Sequence, residues 1–247
     1  MSDFERVFGV HAVQALLERS PKRVRRLLLP AGRLNERQQA LLDLAVTAVI
    51  TTQRVTGEEL DKLADGVHQG VVAEVTPSQL WSEEMLTHLL DRLDSVPLLL
   101  VLDGVTDPHN LGACLRSADA AGVQAVIVPR DRSASLSPVV RKVACGAAET
   151  VPLVAVTNLA RTLKQLQQRG LWLVGTAGEA EQFIYDVDLK VPSVIVMGAE
   201  GAGMRRLTRE NCDYLARLPM AGAVSSLNVS VAAGVCLFEA VRQRLPA

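Results

Sequence analysis

The chain has 247 residues, 49% hydrophobic and 21% charged, which supports a packed core in one large or two modest domains and argues against global disorder. Aromatics at 3% disfavour a single-stranded nucleic-acid reader built on stacked rings. The net charge of −1 gives no overall pull toward nucleic acid or membrane, so local charge must carry any such role.

The N-terminus, MSDFERVFGVHAV, carries acids early and lacks an apolar core of signal-peptide length. Residues 9–19 show helical periodicity, and VRRLLLP (24–30) reads as a strand. A helix is expected over 34–46 and a strand at TAVITT, 47–52. TGEELDKLA (56–64) reads as a helix with Thr56 as N-cap and Glu59 in the capping-box position. GVVAEV (70–75) reads as a strand. This alternation predicts a small α/β domain over residues 1–76. Residues 77–96 are acidic and read as a linker containing a short helix. The second block, 97–247, offers strands at 98–103, 125–129, 171–176, 193–198 and 214–219, and a long last helix over roughly 226–244. Short, nearly continuous apolar strands separated by helices predict a parallel sheet covered on both faces. Such sheets bind ligands beyond the carboxyl ends of their strands.

No run of about 18 apolar residues suggests a membrane span. Cys114, Cys145, Cys212 and Cys236 are far apart, with no CxxC pair. They read as small buried hydrophobes in a reducing, cytoplasmic compartment. His11, His68, His88 and His109 lack metal-ligand spacing, so no metal is expected.

Three loops stand out. In DPHNLGACLRSA, Asp107 and Pro108 fit a helix start, as N-cap and first helical residue. That leaves Asn110 and Arg116, six apart, which read as lying near one side of a helix with 3.6 residues per turn. Arg116 interrupts a small apolar pattern and would be costly there without an anion or a partner. In VMGAEGAGM (196–204), Gly198, Gly201 and Gly203 follow a strand directly. The order matches neither GxGxxG nor a P-loop, and Glu200 would repel a phosphate. A cofactor with a positive or neutral contact region fits better; a plain glycine turn with a solvated Glu200 is the alternative. In LPMAGAVSSLNVSVAAG (218–234), a helix cap explains one serine but explains Asn228 less well, since Asn is a mediocre interior helix residue. No GxSxG elbow is present.

In order and spacing, these three loops resemble the signature motifs of the SpoU (TrmH-like) RNA ribose 2′-O-methyltransferases of the SPOUT superfamily. VHQGVVAEV (67–75) resembles the end of the small substrate-binding domain that precedes the catalytic domain in rRNA-directed members. The likeness is greatest to members that methylate a guanosine ribose in the peptidyl-transferase P loop of 23S rRNA. The resemblance implies an L30e-like N-terminal domain and a C-terminal SPOUT domain with a trefoil knot, which pattern reasoning would never propose. It implies S-adenosyl-L-methionine as cofactor, a homodimer, and cofactor contacts at Gly198, Leu218 and Leu227, with Thr176 and Met220 nearby. Arg116 matches the motif arginine that the family links to activation of the ribose hydroxyl. A guanidinium is a poor base, so binding the substrate phosphate and stabilising the developing alkoxide are the preferred tasks, with proton loss to phosphate or water. Asn110 and Asn228 would orient the hydroxyl, Arg116 and the loop backbone. Glu200 would anchor the second loop or read a guanine edge.

RNA needs a local cationic surface. Within 19–37 lie Arg19, Lys22, Arg23, Arg25, Arg26, Arg33 and Arg37 against the single acid Glu36. Arg23, Arg25 and Arg26 are the candidate phosphate contacts; a merely solvated face is the alternative. Three rival functions stay open. An NAD-dependent oxidoreductase would need GxGxxG, which is missing. A non-catalytic ribosome-assembly factor would not need intact motifs. A tRNA-directed member of the same family is the nearest rival.

Overall fold

A computed structural model describes residues 4–64, 66–77 and 80–246. The chain divides into two compact units, Met1–Gln79 with Cys145–Thr150, and Leu80–Ala144 with Val151–Ala247.

In the first unit, the described strands are β1 (Glu5–Phe8), β2 (Val24–Pro30), β3 (Thr51–Val55) and β4 (Val72–Val75), in spatial order β1-β4-β2-β3. Helices α1 (Val10–Arg19) and α2 (Glu36–Thr47) pack on one face through Val13, Leu16, Leu41 and Ala45. Helix α3 (Gly57–Leu63) covers the other face with Leu60, against Leu28 and Val72. Its start is as predicted: Thr56 accepts from the Glu59 amide, and the Glu59 carboxylate accepts from the Thr56 amide.

The strand expected at 47–52 begins instead at Thr51. Helix α2 continues through Thr47, and Val49 sits at φ 58 in the turn that follows. TAVITT is rich in β-branched residues, but the α2 ladder prevails over local propensity. β3 is the edge of its sheet, and four of its five residues are exposed.

The second unit opens with α4 (Glu83–Leu90), which buries Leu86 against the central sheet. Its strands are β5 (Leu98–Asp103), β6 (Ala125–Pro129), β7 (Leu153–Val156), β8 (Trp172–Thr176), β9 (Gln182–Phe183), β10 (Ser193–Gly198) and β11 (Tyr214–Arg217). Among the described residues they form one parallel sheet in the order β7-β6-β5-β10-β8-β11-β9. The helices are α5 (Pro108–Ala120), α6 (Pro138–Ala144), α8 (Leu159–Gln168), α9 (Arg206–Glu210) and α10 (Val229–Arg244); the short α7 (Ala147–Thr150) belongs to the first unit. Leu159, Leu163 and Leu166 of α8 join Leu86 on one face of the sheet. Helices α5, α6 and α10 pack together, with α5 between the other two. The α5–α6 approach requires Gly112, where an added Cβ would lie 2.7 Å from the Val143 side chain and 2.8 Å from the Val140 carbonyl oxygen. Strands β5, β6 and β10 coincide with the predicted spans, because runs such as LLLVLD and SVIVMG are apolar on both faces. β7 is an additional strand whose four residues offer too short a pattern to read.

The strand order positions the site. β10 lies between β5 and β8, with Gly198 level with Asp103, and Ala216 of β11 is level with Thr176 of β8. The loops leaving β5, β10, β8 and β11 therefore emerge side by side at the carboxyl end of the sheet.

Candidate active site

The first loop leads into α5. Asp107 caps the helix by accepting from the His109 and Asn110 amides, each at 3.2 Å, and Pro108 takes the first helical position. This leaves the Asn110 side chain available for longer contacts. Its Nδ2 donates to Glu200 Oε1 at 3.2 Å, and its Oδ1 accepts from Asn228 Nδ2 at 2.9 Å. Asn228 Nδ2 also donates to Glu200 Oε1 at 2.8 Å, and the Val229 amide donates to the same oxygen at 3.4 Å. Residues 110, 200 and 228, one from each loop, thus form a closed hydrogen-bonded cluster.

Arg116 is placed differently from the sequence expectation. At about 100° per residue, six positions rotate a side chain to roughly 120° away, so Asn110 and Arg116 do not share one side of α5. Arg116 is exposed on the helix surface. It therefore needs no anion to offset burial, and its candidacy rests on its place in the motif.

The second loop is built on a close approach. Gly198 has no positive φ, but a Cβ there would sit 2.2 Å from the Gly203 carbonyl carbon and 2.3 Å from the Met204 nitrogen. The loop folds back on itself through paired Ala199 and Gly203 amide bonds of 3.1 and 2.9 Å, with Gly201 at φ 75 and Gly203 at φ 67. Its far end is clamped. Asp103, 1% exposed, accepts from the Arg205 amide at 2.9 Å and from Arg205 Nε at 2.6 Å. Sequence reasoning did not identify this clamp, although an acid ending an otherwise apolar strand was a visible signal.

The third loop explains Asn228. It is not an interior helix residue but the N-cap of α10, with Oδ1 accepting from the Ser230 amide at 2.9 Å. Its modest helix propensity is therefore no obstacle, because capping is what Asn does well. Its amide nitrogen is thereby aimed at Glu200 and Asn110.

The second and third loops, with the segment that leaves β8, line an open cavity of about 1010 Å³. Thr176, Gly198, Leu218, Met220 and Leu227, the five cofactor candidates, all line it, as do Glu200 and Asn228. Among the described residues the lining does not include Asn110 or Arg116; Asn110 adjoins it through Glu200 and Asn228. Thr176 is oriented by donating from Oγ1 to the Val196 carbonyl at 3.2 Å. The far wall holds residues that no motif announced: Glu179, Phe183, Arg209 and Arg217. Arg209 pairs with Glu179 and holds its carboxyl below the usual range.

The candidate RNA contacts show a different balance from the bare charge count. Arg23 donates to Glu149 Oε2 at 2.6 Å, and the Glu149 side chain is only 1% exposed. Arg26 forks onto Glu74 Oε2 through Nε and a terminal nitrogen, at 3.0 and 2.7 Å. Arg25 is exposed. Two of the three arginines therefore neutralise buried acids of their own unit.

The SpoU rRNA Methylase family matches residues 97–238, and the RNA 2′-O ribose methyltransferase substrate-binding family matches residues 6–81. Over 246 residues the chain is 70% identical to the 23S rRNA (guanosine-2′-O-)-methyltransferase RlmB of Pseudomonas aeruginosa, covering 100% of this chain and 99% of that one. It is 57% identical over 241 residues to the Escherichia coli protein of the same name, covering 97% and 99%. The fold also superposes on the SpoU methyltransferase AviRb of Streptomyces viridochromogenes, solved with AdoMet bound. That match has a TM-score of 0.79 and 28% identity, and covers 98% of this chain and 91% of the other.

Proposed function

The chain belongs to the SpoU rRNA methylase family, and from that premise we propose that it methylates the ribose 2′-hydroxyl of a guanosine in the peptidyl-transferase P loop of 23S rRNA. It is a methyltransferase, and its methyl donor is S-adenosylmethionine. The observation that carries the reading is the convergence of the segments leaving the adjacent parallel strands β10, β8 and β11 on one cavity, with the 110–200–228 cluster joining the first loop to its rim.

The cavity fits such a donor in chemistry. Small and apolar residues share its walls with polar ones, and among the described residues the Glu200 carboxylate accepts from amide donors and pairs with no cation. A carboxylate so held complements positive charge. When bound, the donor supplies a methyl already activated by its sulfonium. The chain must then hold a ribose hydroxyl at near-attack distance, roughly 3–3.5 Å, and help remove its proton. In this reading Arg116 binds the substrate phosphate and stabilises the developing alkoxide, with the proton passing to phosphate or water. Asn110 and Asn228 orient the hydroxyl and the loops, and Glu200 anchors the second loop. Gly198, Leu218 and Leu227, with Thr176 and Met220, hold the donor.

Several finer features belong to the same proposal. Residues 1–76 serve as an L30e-like RNA-binding domain and 97–247 as the catalytic domain, with the 77–96 connector lending α4 to the catalytic sheet and the short 145–150 segment packing with the first unit. The C-terminal part of the sheet is knotted as a trefoil, consistent with β10 lying between β5 and β8. The working form is a cytoplasmic homodimer built mainly from residues 97–247; the exposed Val231 and Phe238, seven apart on α10, supply an apolar face for it. Ribose-methylation mapping of total RNA from a deletion strain tests the whole reading. Loss of one guanosine 2′-O-methyl mark in the P loop is expected. An intact 23S pattern with a missing tRNA mark would transfer the activity to tRNA.

A further inference from the structure

One charged group on the cavity wall has no task in the methyl-transfer scheme. Arg217 closes β11, immediately before Leu218, and lines the cavity. Its guanidinium lies 4.7 Å from the centre of the Phe183 ring. Its Nε is buried without a hydrogen-bond partner, and among the described residues no acid pairs with this guanidinium. The other charges on the wall are engaged: Arg209 with Glu179, and Glu200 with the two asparagines. A half-buried guanidinium resting on an aromatic face, with a donor unsatisfied, is costly until an anion completes it.

The donor set limits which anion fits. A guanidinium presents a planar fork that matches a carboxylate with two parallel hydrogen bonds. Stacking on Phe183 restricts the plane of that fork, so part of the ordering cost is met before binding. S-adenosylmethionine carries one carboxylate, at its amino-acid end, and its nucleoside end carries none. We propose that Arg217 takes this carboxylate, fixing the amino-acid end of the donor against the β9–β11 side of the cavity. Arg217 is thus a binding and positioning residue rather than a catalytic one. Its assignment rests on S-adenosylmethionine being the occupant of this cavity.

Calorimetry on the full chain distinguishes a failure of the assignment from a failure of that occupancy. Wild type, Arg217→Met and Arg217→Lys are titrated with S-adenosylhomocysteine and with 5′-methylthioadenosine, which keeps the nucleoside and thioether but lacks the amino-acid end. Arg217→Met is expected to weaken S-adenosylhomocysteine by about tenfold or more, the loss of one charge-assisted pair worth about 1.4 kcal/mol. Its affinity for 5′-methylthioadenosine is expected to match wild type, which also reports an intact cavity. Arg217→Lys, which keeps the charge but not the fork, is expected to fall between. Equal losses for both ligands, or unchanged S-adenosylhomocysteine affinity, would overturn the assignment. Weaker 23S rRNA binding at unchanged S-adenosylhomocysteine affinity would overturn it too, and would give Arg217 to an RNA phosphate. Wild type binding neither nucleoside would sink the cofactor reading itself and this proposal with it.

Discussion

Replacing Gly198 with alanine adds a single methyl where the second loop folds back. The new Cβ would stand 2.2 Å from the Gly203 carbonyl carbon and 2.3 Å from the Met204 nitrogen, against ordinary contacts of 3.4–4 Å. The backbone of Gly203 and Met204 must therefore retreat by about 1.2 Å, the difference between 3.4 and 2.2 Å. Backbone cannot swing aside as a flexible side chain would. Nor can the loop drift as a unit, because Arg205 is held at its far end by the buried Asp103. The retreat would break the paired Ala199–Gly203 bonds, at about 1 kcal/mol net each, and add overpacking of about 1–3 kcal/mol. A total near 3–5 kcal/mol corresponds to a fall in Tm of roughly 6–20 °C for a chain of this size. S-adenosylhomocysteine affinity should fall together with stability, since the displaced loop lines the cavity. Gly198→Val should abolish binding. Differential scanning calorimetry and ligand titration on Gly198→Ala provide the assay. A Tm within about 1 °C of wild type with unchanged affinity would refute the close approach as the reason for glycine here.

Other outcomes follow from the same geometry. Arg116→Ala should abolish methyl transfer while S-adenosylhomocysteine binding stays near wild type; an equal loss of both in calorimetry and methylation assays would remove Arg116 from the substrate side. Asn228→Ser keeps a capping oxygen for α10 but loses the amide bonds to Glu200 and Asn110, so Tm should move little while methylation falls by about tenfold or more. Arg25→Glu should reduce the log–log salt slope of 23S rRNA binding by roughly 0.7–0.9 for each phosphate that is no longer neutralised, read by filter binding across a salt series. Arg23→Glu should instead lower stability by about 3 kcal/mol in urea unfolding, because it strands the buried Glu149; this makes it a poor probe of RNA binding. Burial pushes the thiols of Cys114, Cys212 and Cys236 up to about 12, so a thiol reagent near neutral pH should label only the exposed Cys145 in the native chain, with mass spectrometry as the readout.

Much of this protein is decided within short stretches of chain. The runs at 98–103, 125–129 and 193–198 are almost wholly apolar, as strands buried on both faces must be, and their spans were legible in full. The Thr56–Glu59 capping box and the Asp107–Pro108 helix start were equally legible, because caps are satisfied by neighbours within three residues. Motif order alone indicated the family.

Features that depend on partners distant in sequence could not be read that way. Arg23 and Arg26 look like a cationic surface until Glu149 and Glu74, 126 and 48 residues away, are folded against them. Asn228 looks out of place until its side chain meets Asn110, 118 residues earlier, at the carboxyl end of the sheet. The start of β3 was decided by where the α2 ladder ends. The Asp103–Arg205 clamp exists because β10 pairs with β5, and Arg217 meets the Phe183 ring because β11 pairs with β9. Local pattern decides which segments become strands and helices, because their hydrogen bonds and apolar faces repeat over a few residues. Which side chains meet is set by strand order, a global choice that residue spacing does not encode.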